Sequence, residues 1–133
     1  MANSERAMYP SVLKWAAESG ARNVGEEVRT HGRSRADLVI TFSTRRLAAV
    51  ELKVKDWRRA GHQALLNRYC THESYVAIWW KHASSDCEEY CRKHGLGLLS
   101  VEDNDCYVIV RPERSSPYSV LVKRIQEQLV DGT

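Results

Sequence analysis

Apolar residues recur along this chain at two different spacings. Met8, Val12, Trp15 and Ala16 share one face of a 3.6-residue period and Gly20 closes the run, which predicts a helix over Ser4–Glu18 with Pro10 near its first turn. Asn23–Thr30, Asp37–Phe42 and Leu47–Val54 are rich in Val, Leu and Ile and are separated by short polar turns, so they read as strands. Trp57, Gly61, Ala64, Leu65 and Arg68 return to helical spacing within Trp57–Cys70, and Tyr75–Trp80 is a further strand. Ser85–His94 begins with a Ser-x-x-Glu capping box, Ser85 and Glu88, and stops at Gly95, as a helix does. Leu96–Val101 and Cys106–Val110 read as strands, and Ser116-Pro117 opens a last helix that runs to Val130. The helix between Leu47–Val54 and Tyr75–Trp80 implies a right-handed crossover, which makes those two strands parallel. The expectation is an α/β fold with a mixed central sheet.

Composition narrows the picture. With 133 residues, 43% of them hydrophobic, the chain supports one core, so a single domain is expected over residues 1–133. No segment approaches the roughly 18 consecutive apolar residues of a membrane span, and the opening "MANSERAMYP" lacks the basic-then-apolar layout of a signal peptide. The reading is a cytoplasmic protein with no membrane partner. Cys70, Cys87, Cys91 and Cys106 are too sparse for a disulfide scaffold and read as free thiols. Cys87, Cys91 and His94 share a helix face and, with Cys70, His72 or Cys106, offer a zinc alternative. Ligands on one helix without a Cys-x-x-Cys turn match structural zinc poorly, so a buried thiol face is expected. In Trp79-Trp80, strand alternation sends one ring inward; core packing is the expectation and base stacking the alternative.

Charge is distributed unevenly. The net charge is +3, yet between Arg22 and Arg68 there are 11 Lys/Arg against 5 Asp/Glu. Such an excess is the footprint of a phosphate-contacting surface, for which Arg33, Arg35, Lys55, Arg58, Arg59 and Arg68 are the candidates. Inside this region Asp37, Glu51 and Lys53 interrupt two strands. A hairpin centred on Thr44, with Phe42 pairing to Leu47 or Arg46, sets Asp37 and Glu51 opposite each other or one place off. Opposite residues have Cβ atoms about 4.5–5.5 Å apart, and two carboxylates at that distance repel unless something positive joins them. Lys53 projects to the face of Glu51, whereas Val50, Leu52 and Val54 point to the other. The positive group is therefore either Lys53, in a structural salt bridge, or a divalent cation such as Mg²⁺, which favours hard oxygen ligands.

The spacing Asp37, 13 residues, then Glu51-Leu52-Lys53 in a strand resembles the PD-(D/E)XK nuclease superfamily, whose fold is the restriction-endonuclease-like one. "SERAMYPSVLKWAAESG" resembles the first helix of its small bacterial members, and "GEEVR" with "RADLVI" its first two strands. "DWRRAGHQALLNRYCTHESYVAI" is similar to the helix and strand after Glu-x-Lys, and "HGLGLLSVE" to a later strand. The similarity covers residues 4–102, and Arg35-Ala36-Asp37 stands where the nominal proline and aspartate would be.

The resemblance implies a three-layer fold and an endonuclease that hydrolyses phosphodiester bonds in DNA rather than RNA. It implies that Asp37, Glu51 and the Leu52 carbonyl bind Mg²⁺, with Mn²⁺ as substitute, that Lys53 serves the attacking water and the transition state, and that Gln63 positions water or phosphate. Glu5 would reach the metal through water, with Glu27 as its rival. One active site breaks one strand, so duplex cutting implies a homodimer. A non-catalytic nucleic-acid-binding or assembly module and a small structural homo-oligomer are the other readings. No Cys/His or Ser/His/Asp nucleophile arrangement is legible.

Overall fold

A computed structural model describes residues 4–131; the outermost residues of the domain expected over 1–133, including the first three of the N-terminal stretch, lie outside the described residues. After a 3₁₀ turn at Arg6–Met8 the elements are α1 (Tyr9–Glu18), β1 (Asn23–Arg29), β2 (Arg35–Ser43), β3 (Arg46–Lys53), α2 (Trp57–Asn67), β4 (Glu73–Trp79), a 3₁₀ turn at Trp80–His82, α3 (Ser85–His94), β5 (Gly97–Glu102), β6 (Asp105–Val110) and α4 (Ser119–Asp131). The six strands form one sheet in sequence order. β3, β4 and β5 run parallel to one another, and the remaining neighbours are antiparallel. No helix among the described residues is long and apolar enough to cross a membrane.

Strand alternation divides the core in two. Leu38, Ile40, Ala48, Val50, Leu52, Ala77 and Leu99 pack with Met8 of the first 3₁₀ turn and Tyr9, Val12 and Ala16 of α1. On the opposite face Ala60 and Ala64 of α2 and Cys87 and Cys91 of α3 cover Val76, Ile78 and Leu98, while Ile125 and Leu129 of α4 cover Val39 and Ala49. Helices therefore flank both faces of a mixed sheet, a three-layer α/β arrangement.

Three local expectations shift. The N-cap of α3 is Ser84, whose Oγ accepts from the Cys87 N–H at 3.2 Å, so the capping residue precedes the one that the Ser85–Glu88 box implied. Gly95 does close that helix in a left-handed conformation, at φ 70°. Ser116-Pro117 does not begin α4, which starts at Ser119, because the preceding segment is tied down as extended chain: Glu113 N–H donates to Gly95 O and Ser115 N–H to His72 O. The four thiols disperse: Cys87 and Cys91 lie under the sheet together, Cys70 beside α4, and Cys106 against the α1 side. Among the described residues no group of three or more His, Cys, Asp or Glu side chains is gathered to hold a metal.

α2 and α3 touch at a glycine. A Cβ on Gly61 would lie 2.5 Å from the Tyr90 ring, which already stands between Trp57 and His94 with centroid separations of 5.4 and 4.4 Å. Replacing an interior helical glycine by alanine gains about 1 kcal/mol of helix propensity, whereas overpacking costs about 1–3 kcal/mol. Gly61→Ala is therefore expected to lower the thermal unfolding midpoint; an unchanged or raised midpoint would mean that Tyr90 yields freely.

Candidate active site

β2 and β3 pair from Thr41↔Leu47 to Leu38↔Val50, and one further step in the same register brings Asp37 level with Glu51. The ladder parts there. Asp37 Oδ2 takes the place of a backbone acceptor and receives the Leu52 N–H at 2.9 Å. Ala36, which strict alternation would group with Leu38 and Ile40, packs instead with Val39, so β2 bends at this point. Its neighbour bends with it: Glu27 lies between the pairs Glu26↔Leu38 and Val28↔Ala36 and adopts a left-handed φ of 52°. Both strands distort around Asp37, and distortion of this kind collects at functional positions.

The carboxyl groups of Asp37 and Glu51 are thereby close enough for Asp37 to act on Glu51 both by charge and by hydrogen bonding. Glu51 is 1% exposed, and its second partner is Asn67 of α2, whose Nδ2 donates to Oε2 at 2.7 Å. Burial, and after it the charge of Asp37, pushes the Glu51 carboxyl up to about 8, against the Asn67 hydrogen bond that favours the anion. Asp37 is raised as well, first by burial and then by Glu27 and Glu5, while the Leu52 N–H and Lys53 oppose the shift. Burial is thus the first cause of both shifts, and it favours the protonated form of each carboxyl.

Lys53 does not supply that charge directly. Its Nζ lies 3.0 Å from Glu5 Oε1, so the salt bridge expected within the hairpin is made instead to the N-terminal segment. Glu5 thus enters the site as the partner of Lys53, and Glu27, exposed beside Asp37, contributes negative charge from the other flank. Gln63 lies one turn before Asn67 on α2, and its Oε1 is buried without a hydrogen-bond partner among the described residues. An open cleft of about 490 Å³ lies alongside, lined by Glu5, Arg6, Lys53, Lys55 and Asp56 among others.

The basic candidates separate into two sets. Arg33 and Arg35, at the start of β2, and Lys55, Arg58 and Arg59, around the start of α2, are exposed at the end of the sheet that carries the carboxylates. Arg58 lies over the Trp57 ring at 4.4 Å. Arg68 has a structural task at the far end of α2: its guanidinium donates to His94 O at 2.7 Å and ties down the last turn of α3. Asn67, the residue that holds Glu51, was not among the candidates; its signal was its position four residues after Gln63 on one helix face.

No family model matches the chain, and no curated protein matches it. Among solved structures it is similar to the SPO1766 protein of unknown function from Silicibacter pomeroyi, with a TM-score of 0.76 and 12% identity over 96% of this chain and 84% of that one. At that identity the likeness shows the fold alone.

The carboxyl pair predicts a pH response of known sign. A glutamate whose ordinary value of 4.5 is raised to about 8 in the folded protein contributes stability that is fully present below pH 4.5 and lost as pH rises through 8. The melting temperature of the metal-free protein should fall across that window. Glu51→Gln should flatten the fall, because glutamine keeps an oxygen for Asn67 and carries no charge. An identical slope in wild type and variant would locate the titration elsewhere.

Proposed function

We propose that the chain is a Mg²⁺-dependent endonuclease of the PD-(D/E)XK type that hydrolyses phosphodiester bonds in DNA in the cytoplasm, with Mn²⁺ able to replace Mg²⁺. The observation that carries the reading is the contact between Asp37 and Glu51: two hard oxygen donors, both raised in pKa, under a rim of exposed arginine and lysine. A cation is what such a pair lacks. The donor set fits Mg²⁺, which takes one or two carboxylates and completes its sphere with water and substrate phosphate. Asp37, Glu51 and the Leu52 carbonyl would hold it. Bound there, the ion supplies Lewis acidity toward the scissile phosphate and a lower pKa for the attacking water.

The chain's own residues supply the rest. Lys53 brings a half-buried ammonium to the mouth of the site, positioned by Glu5, where it offsets charge that builds on the phosphate. Gln63 Oε1, a buried acceptor without a partner, orients a water proton. Asn67 fixes the Glu51 rotamer. Arg33, Arg35, Lys55, Arg58 and Arg59 contact phosphates on either side. One site makes one break, so concerted duplex cutting would require a homodimer.

A second reading, a non-catalytic nucleic-acid-binding module, is favoured by one feature: Asp37, Glu51, Lys53 and Glu5 all have hydrogen-bond partners within the fold. Nicking of supercoiled plasmid in the presence of Mg²⁺ or Mn²⁺ separates the two. Asp37→Asn and Glu51→Gln are each expected to abolish nicking with the fold intact, and Lys53→Met to lose most activity while still titrating Mn²⁺ by calorimetry. Nicking at the wild-type rate by purified Asp37→Asn would overturn the nuclease assignment. Salt-sensitive DNA binding without nicking in any divalent ion would select the second reading.

A further inference from the structure

The two adjacent tryptophans have different fates. Trp79 ends β4 inside the core at 5% exposure, whereas Trp80 begins the following 3₁₀ turn with 46% of its surface in water. An exposed indole of that size contributes little to folding and is enriched where a polar edge and an apolar face both meet a partner. Its location is informative. β3 and β4 are parallel and Lys53 is level with Ile78, so Trp80 lies just past the same end of the sheet as the carboxylate pair. With strands about 4.8 Å apart and an advance of about 3.3 Å per residue, its backbone starts roughly 8 Å from that of Lys53.

The surroundings are cationic. Lys81 Nζ stands 5.6 Å from the Trp80 ring centroid, and Lys55, Arg58 and Arg59 are exposed at the same end. Alternating cations and aromatic faces are the arrangement that tracks a single strand, the cations along phosphates and the ring against a base. A paired base inside a duplex offers no free π-face. Other exposed aromatic rings lie elsewhere: Tyr69 and Tyr118 stack on each other, 6.0 Å apart, beyond the C-terminal end of α2.

We infer that Trp80 is a base-stacking residue and that the substrate of this site is DNA carrying an unpaired nucleotide next to the scissile phosphate, as in single strands, flaps or gaps. The inference rests on the nucleic-acid reading given above and narrows it. Stacking on one base contributes about 1–3 kcal/mol, which corresponds to a change of about 5- to 150-fold in affinity. The ring has little else to do: the turn it opens is closed by backbone, with the Ala83 N–H donating to Trp80 O, so a smaller side chain leaves that bond intact.

The test uses the full chain without divalent ions, so that cleavage plays no part. Fluorescence anisotropy would measure binding of a labelled oligothymidylate and of a blunt hairpin duplex to wild type, Trp80→Ala and Trp80→Phe, with circular dichroism melts to verify folding. The expected result is a loss of 5-fold or more for oligothymidylate in Trp80→Ala, less than about twofold for the duplex, and retention of most affinity in Trp80→Phe. Equal weakening for both ligands, or no weakening for either, would overturn the role of Trp80 while leaving the nucleic-acid reading in place. Absence of binding to both ligands by wild type would overturn that reading and this inference together.

Discussion

Two carboxyl groups in contact, one of them 1% exposed, set the terms for the rest of this structure. Removing a carboxylate from water is costly, and a second one beside it adds repulsion. The fold answers with three neutral or positive groups. Asp37 gains the Leu52 N–H only because β2 leaves β3 at that residue, so the interrupted ladder is what solvates the acid. Glu51 gains Asn67 from α2. Lys53 lowers the Asp37 carboxyl from a distance while paired with Glu5. These together do not offset burial, the first cause that keeps both carboxyls raised, and under the proposed function a cation is the partner that would.

α2 connects this polar arrangement to the core. Its Ala60 and Ala64 are small and buried against the sheet, so the helix sits close to it, while Gly61 admits the Tyr90 ring of α3. Close approach is needed because Asn67 has a short side chain and must reach a glutamate within the sheet. The crossover from β3 through α2 to parallel β4 also explains the position of the site: parallel strands bring their carboxyl ends to one edge, where loops and helix starts converge and crevices form. Lys53, Lys55, Arg58 and Trp80 lie at that end of the sheet although they come from three elements and the loops between them.

What was legible in the sequence is what short-range geometry dictates. The tight turn at Thr44 fixed the pairing of β2 with β3, so the level alignment of Asp37 and Glu51 followed from counting, even though a bulge between Thr41 and Ser43 moves the turn by one residue. The helix ending at Gly95 followed from the φ that glycine permits. Other features depend on contacts that no local spacing encodes. Lys53 and Glu5 are 48 positions apart, and either strand carboxylate was an equally good partner on paper. Arg68 carried the same charge as its neighbours and could not be told from a phosphate ligand until α3 placed its last carbonyl within reach. Two consecutive serines can each cap a helix, and it is the Ser84 Oγ that accepts the Cys87 N–H.

The site thus has a rigid half and an exchangeable half. Glu51 and Asn67 are both buried, and separating them would leave polar groups unsatisfied inside the protein, at about 1–3 kcal/mol or more for a charged partner. The Lys53–Glu5 pair is different: its side chains are 22% and 41% exposed, and ion pairs in contact with water contribute about 0–1 kcal/mol. Under the nuclease reading, a DNA phosphodiester carries the same single negative charge as Glu5, so Lys53 could pass from one to the other at little cost. The buried half would keep its geometry while the lysine changed hands, a division that the proposed site needs if it is to hold its donors in place and still respond to an anionic substrate.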